Sequence, residues 1–243
     1  MLSQDQLNQM DRDGFVVLEN LFTKDEMAKL ADDIEQYVER HERELAAVGG
    51  EAGINRAKQI SFTSHLAEQD ESIRTFCLRK EIAELSSQLL GPDVDLYWNQ
   101  SVFKHPETEQ IFPWHQDDAY TPVKPAPYLT LWLAISDATE ENGCISVLPG
   151  SHKQGLVKHE QTPYGWACHT PDDPDQGILV PVPAGSLIAF WSMTMHKSGP
   201  NLSKEIRKAY VIQYACAGLR RVEDDGLIEN MIPVVRDGKP LLA

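Results

Sequence analysis

The chain has 243 residues, of which 42% are hydrophobic and 24% charged, and its formal net charge is −15. This composition is typical of a globular protein, and the length fits one domain with a sizeable core. The acidic balance argues against nucleic acid as a partner, because phosphate binding requires clustered Lys and Arg.

The sequence shows no signal for membrane insertion or secretion. The apolar runs all fall short of the roughly 20 residues needed to cross a bilayer. The opening MLSQDQLNQMDRDGF lacks the basic start and apolar centre of a secretion signal. The four cysteines show no C-x-x-C spacing, which argues against a structural zinc cluster. We therefore expect a cytoplasmic protein with no membrane partner.

The first ninety residues predict mostly helix. Thr23 and Glu26 have the spacing of a capping box, and apolar residues then recur at helical intervals as far as Val38. Gly49-Gly50 ends this pattern. A second helix is predicted near residues 80 to 90, where Gly91-Pro92 stops it.

From residue 94 the periodicity becomes that of strands. The segment YLTLWLAIS (128 to 136) places Leu129, Leu131 and Leu133 on one face and Trp132 on the other. Short strand-like segments separated by Gly and Pro turns continue to residue 216. This order predicts a mainly β (α+β) protein, a sandwich or barrel with helices packed on one side.

The stretch PWHQDDAY (113 to 120) contains a His-x-Asp pair. On an extended segment His115 and Asp117 point to the same side and Gln116 points away. The pair alone is weak evidence, but His196 closely follows a strand-like segment that ends at Trp191. Two histidines and one carboxylate leave three metal positions open, which suits non-haem Fe(II) oxygen chemistry.

Arg207 begins the predicted strand RKAYVIQYAC. An inward-pointing arginine can bind a carboxylate through two parallel hydrogen bonds, as 2-oxoglutarate would require. Alternation places Arg207, Ala209, Val211 and Gln213 on one face. The alternative interpretation of Arg207 is a surface ion pair with Glu205.

Four segments carry a resemblance to the phytanoyl-CoA dioxygenase family of Fe(II)/2-oxoglutarate oxygenases. They are DGFVVLENLFTKDEM (13 to 27), HQDDAY, NGCISVLPGSHK (142 to 153) and HKSGPNLSKEIRKA (196 to 209). The last resembles the family's distal His, Ser, Asn and Arg pattern position for position. The resemblance covers nearly the whole chain and is densest between residues 113 and 216.

The resemblance implies a double-stranded β-helix, a cupin-like jelly roll with N-terminal helices packed outside. It implies Fe(II) held by His115, Asp117 and His196, and 2-oxoglutarate held by Arg207 with Ser198 and Trp132 nearby. Some relatives are halogenases that lack this carboxylate, so Asp117 favours hydroxylation of an unactivated C–H bond, with release of succinate and CO2. We expect one domain: helical support over 1–92, the jelly-roll core over 93–218 and a C-terminal extension over 219–243.

The substrate is expected to be a small molecule selected by loops at residues 50–72, 118–127 and 156–177. The residues predicted to contact it are Asp118, Tyr120, Trp166 and His169. Whether the 156–177 loop is a lid, and whether the protein is a monomer or a homodimer, stays open. The alternative function is that of a cupin-like metal protein without oxidative chemistry, an isomerase or a sensor, which would have no use for Arg207.

Overall fold

The computed structural model describes residues 1–168 and 177–242. The helices in these ranges are α1 (Gln4–Asp13), α2 (Lys24–Ala47), α3 (Leu66–Gln69), α4 (Glu71–Cys77) and α5 (Lys80–Leu90). The predicted capping box is confirmed, because the Thr23 hydroxyl accepts from the Glu26 N–H and the Glu26 carboxylate accepts from the Thr23 N–H. No helix in the described ranges is long and apolar enough to cross a membrane.

Two antiparallel sheets form the core. The described strands are β1 (Phe15–Leu18), β2 (Glu51–Ala52), β3 (Asn55–Arg56), β4 (Ile60–Ser64), β5 (Val94–Lys104), β6 (Phe112–His115), β7 (Val123–Lys124), β8 (Leu129–Ala134), β9 (Ile145–Val147), β10 (His159–Thr162), β11 (Gly165–Cys168), β12 (Ile178–Val180), β13 (Leu187–Trp191), β14 (His196–Ser198), β15 (Arg207–Cys216), β16 (Arg220–Arg221), β17 (Ile232–Arg236) and β18 (Lys239–Pro240). The large sheet runs β1-β13-β8-β15-β5-β4-β3-β2, and the small sheet runs β12-β9-β14-β6.

The helices cover the outer face of the large sheet. Leu129, Leu131 and Leu133 of β8 join one apolar cluster with Ile34 of α2 and Ile82 of α5. Trp132 points the other way, into a second cluster that also contains Ile145 and Val147 of the small sheet. The predicted division of the β8 faces is therefore confirmed, as is a mainly β jelly-roll fold with supporting helices.

The first 92 residues contain strands as well as helices, and these strands were not predicted from the sequence. β1 pairs with β13 and β4 pairs with β5, so both belong to the large sheet. In the C-terminal extension, β17 pairs with the other end of β5. These strands are short and their partners lie far along the chain, so local periodicity does not reveal them. The division at residues 92 and 218 stays a proposal.

Candidate metal centre and co-substrate pocket

Two neighbouring strands of the small sheet bring His115 and His196 together. β6 ends at His115, β14 begins at His196, and the two residues are direct partners in the antiparallel register. Their ring centroids are 4.1 Å apart. Asp117 Oδ1 lies 3.6 Å from the Nε2 atom of each histidine. The structure therefore gathers three potential metal ligands whose donor atoms all lie within 4.8 Å of one another.

Asp117 reaches this cluster from a turn. The extended backbone continues through Gln116, and a short 3₁₀ turn begins at Asp117. The prediction of a strand through Asp117 is therefore corrected, although the alternation of side chains holds. The buried Gln116 amide points away, donates to the carbonyls of Gly155 and Met193, and accepts from the Val157 N–H.

Backbone carbonyls fix the orientation of both imidazoles. His115 Nδ1 lies 2.9 Å from the Pro113 carbonyl, and His196 Nδ1 lies 3.0 Å from the Thr194 carbonyl. A carbonyl only accepts, so each Nδ1 carries the proton and each Nε2 presents its lone pair to the cluster. Burial, together with the neighbouring His115, lowers the pKa of His196 to about 4. This donor set fits Fe(II).

The second carboxylate oxygen of Asp117 is held by hydrogen bonds. Thr130 Oγ1 donates to Asp117 Oδ2 at 2.6 Å, and Gln213 Nε2 donates to the same oxygen at 3.0 Å. Burial alone would raise the pKa of Asp117, but the two histidines and the Thr130 hydroxyl lower it to about 2. The carboxylate is therefore ionised, with Oδ1 left to face the histidines.

Arg207, at the start of β15, is buried, and its guanidinium has no carboxylate partner among the described residues. Its side chain is 1% exposed, its guanidinium carbon lies 5.4 Å from the Trp132 ring centroid, and its Nε has no hydrogen-bond partner. Within the described residues no carboxylate lies at ion-pair distance, so the alternative pair with Glu205 is absent. Burial lowers the pKa of Arg207 to about 10, which leaves it cationic at neutral pH.

Lys104 is a buried lysine near Arg207 that was not among the predicted site residues. Its Nζ donates to Ser198 Oγ at 2.9 Å and to the Gly199 carbonyl. Burial and the nearby Arg207 lower the pKa of Lys104 well below its usual range. The sequence pattern of β5 could have indicated Lys104, because alternation places it on the same face as Trp98, Gln100 and Val102.

One cavity of about 440 Å³ joins these groups. Its wall includes the three potential metal ligands, Arg207, Ser198, Trp132 and the predicted substrate residue Tyr120. The aromatic and uncharged polar residues of the wall, absent from the predicted site, are Asn55, Phe62, Ser64, Tyr97, Trp98, Gln100, Phe112, Thr121, Tyr128, Thr130, Phe190 and Gln213.

Two of the other predicted substrate residues, Asp118 and Trp166, are not part of the cavity lining. Asp118 is buried outside the cavity lining, and burial raises its pKa to about 6. Trp166 of β11 is also outside the lining, and its backbone contacts the Tyr120 hydroxyl. His169 lies outside the described residues, as do residues 170–176 of the predicted 156–177 loop. Contacts of Asp118, Trp166 and His169 with substrate stay predictions.

A jelly-roll fold with a cluster of two histidines and one carboxylate, here His115, Asp117 and His196, is typical of non-haem iron oxygenases. Residues 10–209 match the family model described as phytanoyl-CoA dioxygenase (PhyH), so the chain belongs to this family. A relative described as a probable alpha-ketoglutarate-dependent hypophosphite dioxygenase, from Stutzerimonas stutzeri, is 30% identical over 236 residues, which is 89% of this chain and 79% of the relative.

Solved structures show the same fold. The alpha-ketoglutarate-dependent carbocyclase SnoK from nogalamycin biosynthesis has a TM-score of 0.78 at 22% identity, covering 96% of this chain and 97% of its own. EvdO2 from Micromonospora carbonacea var. aurantiaca, solved with 2-oxoglutarate, has a TM-score of 0.71 at 20% identity, covering 93% and 95%. The protein is therefore a 2-oxoglutarate-dependent oxygenase whose cofactors are Fe(II), 2-oxoglutarate and O2.

Proposed function

We propose that the protein hydroxylates an unactivated C–H bond of a small molecule and converts 2-oxoglutarate to succinate and CO2. The observation that carries this proposal is the shared cavity. It places a His–Asp–His cluster near a buried arginine that has no carboxylate partner in the described residues. A metal sensor or isomerase would have no reason to bury such a cation.

In this proposal His115, Asp117 and His196 hold Fe(II). When bound, the iron supplies the activation of O2 and the oxidising power for the C–H bond. The protein orients the ligands through the carbonyls of Pro113 and Thr194 and keeps the site dry through burial. A general base or nucleophile is not required by this chemistry.

Arg207 binds the far carboxylate of 2-oxoglutarate. A guanidinium offers two parallel donors to a carboxylate, and its unpartnered Nε supports a ligand rather than an internal ion pair. Ser198 lines the same cavity, and the Lys104 ammonium or amine nitrogen donates to its hydroxyl oxygen, which holds the Ser198 side chain in place. Trp132 stacks against the guanidinium and limits its movement.

Asp117 supports hydroxylation over halogenation. Its carboxylate fills the place that a halide would need, and hydrogen bonds from Thr130 and Gln213 hold it there. The fold alone does not choose the outcome, since the structural neighbour SnoK is described as a carbocyclase.

The first experiment measures 2-oxoglutarate binding to the Fe(II)-loaded protein under anaerobic conditions. We expect Arg207→Ala to weaken binding by about 100-fold or more, because two charge-assisted hydrogen bonds are lost. Arg207→Lys should recover only part of the affinity, since an ammonium lacks the planar fork. The control is Arg220→Ala, at an exposed arginine outside the cavity lining whose side chain donates to the Asp225 carbonyl.

The same samples are then exposed to O2 and assayed for succinate. The wild-type protein should form succinate slowly from 2-oxoglutarate alone, and Asp117→Ala should not. Equal 2-oxoglutarate affinity in wild type and Arg207→Ala, or no succinate from the wild type, would contradict the proposal.

A further inference from the structure

A bulge in β5 builds an aromatic wall in the cavity. In the pairing of β5 with β15, Gln213 is opposite Trp98 and Tyr214 is opposite Leu96, which leaves Tyr97 as the extra residue. A bulge re-aims a side chain, and here Tyr97 and Trp98 both line the cavity. The Tyr97 and Tyr128 ring centroids are 5.1 Å apart. Adjacent aromatic rings therefore face the space beside the metal cluster.

Gln100 presents hydrogen-bond donors next to this wall. The Trp98 indole Nε1 lies 3.2 Å from Gln100 Oε1, and Ser64 Oγ lies 3.4 Å from the same oxygen. An indole N–H can only donate, so the amide oxygen must face Trp98. The NH₂ group of Gln100 is turned the other way, and it has no hydrogen-bond partner among the described residues.

Gln213 offers the complementary group on the adjacent strand. Its amide nitrogen donates to Asp117 Oδ2 at 3.0 Å and to Thr130 Oγ1 at 3.3 Å. Its carbonyl oxygen is left without a partner in the described part of the chain. The wall therefore pairs a donor with an acceptor, and a hydroxyl group can satisfy both because it donates and accepts.

The aromatic end of the cavity is uncharged apart from Asp117. Among the described lining residues the cations are Arg207 and Lys197. Arg207 stacks on Trp132, and the Lys197 ammonium lies 4.9 Å from the ring centroid of Trp114, a residue that is not part of the lining. An anionic substrate group at the aromatic wall would thus be desolvated away from these cations, which costs several kcal/mol or more. A cationic group would find Asp117 as the carboxylate among the described lining residues, and there it would compete with Fe(II).

We propose that Tyr97, Trp98, Gln100, Tyr128 and Gln213, here termed the Trp98–Gln100 subsite, bind an uncharged hydroxylated ring such as a sugar or cyclitol unit. The apolar face of the ring packs on the aromatic wall, and its hydroxyl groups bind Gln100 and Gln213. The cavity of about 440 Å³ must also hold 2-oxoglutarate, so the remaining space fits one small ring. This inference rests on the proposed function, because it names the substrate of the same site.

The test compares probes of different charge in the succinate assay. Succinate is measured with Fe(II), O2 and 2-oxoglutarate alone, and then with methyl β-D-glucopyranoside, myo-inositol, ethanolamine or hypophosphite added. At least one of the two neutral probes should raise the rate above that with 2-oxoglutarate alone, and the charged probes should not. No succinate under any condition contradicts the proposed function itself. Succinate without stimulation by either neutral probe, or stimulation by a charged probe, overturns the subsite alone.

Variants at Gln100 link any stimulation to the subsite. The readout is the ratio of succinate formed with the stimulating neutral probe to that formed without it. Gln100→Glu is close in size, keeps an acceptor for Trp98 and removes the two donors, whereas Gln100→Leu removes both functions. Losing the hydrogen bonds should lower this ratio by about tenfold. The matched control is Gln36→Leu, at an exposed position on α2. A ratio unchanged in Gln100→Glu overturns the assignment.

Discussion

At the scale of single residues, the geometry of Asp117 depends on two side chains that do not touch the metal position. Thr130 is fully buried on β8 and Gln213 lies on the neighbouring β15, where the two are direct partners in the register. Both donate to Oδ2, so Oδ1 alone is directed at the histidines. Such partners of a metal ligand restrict its rotation before the metal binds.

We therefore expect Thr130→Val to weaken Fe(II) binding by roughly 10–100-fold, because the carboxylate loses a donor while the side chain keeps its shape. Thr130→Ser keeps the hydroxyl and should retain most of the affinity. The dissociation constant is measured by anaerobic Fe(II) titration, which does not depend on turnover. Equal affinities for the Val and Ser variants would argue that Thr130 acts only through packing.

At the scale of elements, the turn before β9 is packed against the chain segment that follows β14. Gly143 has φ +79°, and a Cβ there would lie 2.5 Å from the Gly199 carbonyl oxygen and 2.7 Å from that of Pro200. Gly199 directly follows Ser198 and accepts a hydrogen bond from Lys104. The glycine therefore lets two backbone segments approach closely at the Arg207 end of the cavity.

Gly143→Ala should reduce the free energy of unfolding more than Gly218→Ala does. Gly218 has φ +82° and nothing within 4 Å of its virtual Cβ, so its variant experiences only the left-handed strain of about 1 kcal/mol. The additional loss in Gly143→Ala measures the clash with the carbonyls. Urea denaturation of both variants gives the comparison, and equal losses would show that the clash relaxes at no cost.

The register between strands also explains why part of the site was not predicted from the sequence. Trp98 and Gln100 share a face by simple alternation, but Tyr97 joins them only because β5 bulges against β15. A bulge is created by the register between two strands, and the sequence of either strand alone does not contain it. Similarly, Thr130 and Gln213 are ordinary strand residues until the pairing of β8 with β15 places them opposite Asp117.

At the scale of the whole molecule, the cavity lies between the two sheets, so its ligands connect both halves of the core. His115 and His196 belong to the small sheet, whereas Arg207 and Trp132 belong to the large sheet. A ligand that binds only the folded state adds about 2.7 kcal/mol of stability at 100 times its Kd. Iron and 2-oxoglutarate should therefore stabilise the fold as a unit.

For a chain of this length such a gain corresponds to a rise in Tm of about 5–10 °C. We expect 2-oxoglutarate to produce a rise of this size in the Fe(II)-loaded wild-type protein under anaerobic conditions. Arg207→Ala should keep the increase caused by Fe(II) and lose the further increase caused by 2-oxoglutarate. Thermal melting by circular dichroism measures both, and an equal response to 2-oxoglutarate in the two proteins would contradict the assigned binding residue.

The sequence by itself determined the family, the jelly-roll class, and the three side chains that meet as a potential metal centre. The family and the jelly-roll class came from the resemblance of four sequence segments to the phytanoyl-CoA dioxygenase family. The local spacing of His115 and Asp117 and the alternation of side chains along single strands supported the same site. Tertiary structure alone decided that Asp118 lies outside the cavity lining, that Lys104 holds Ser198, and that Thr130 and Gln213 orient Asp117. These contacts join strands distant in sequence, so they exist only once the strand register and the packing of the two sheets are fixed.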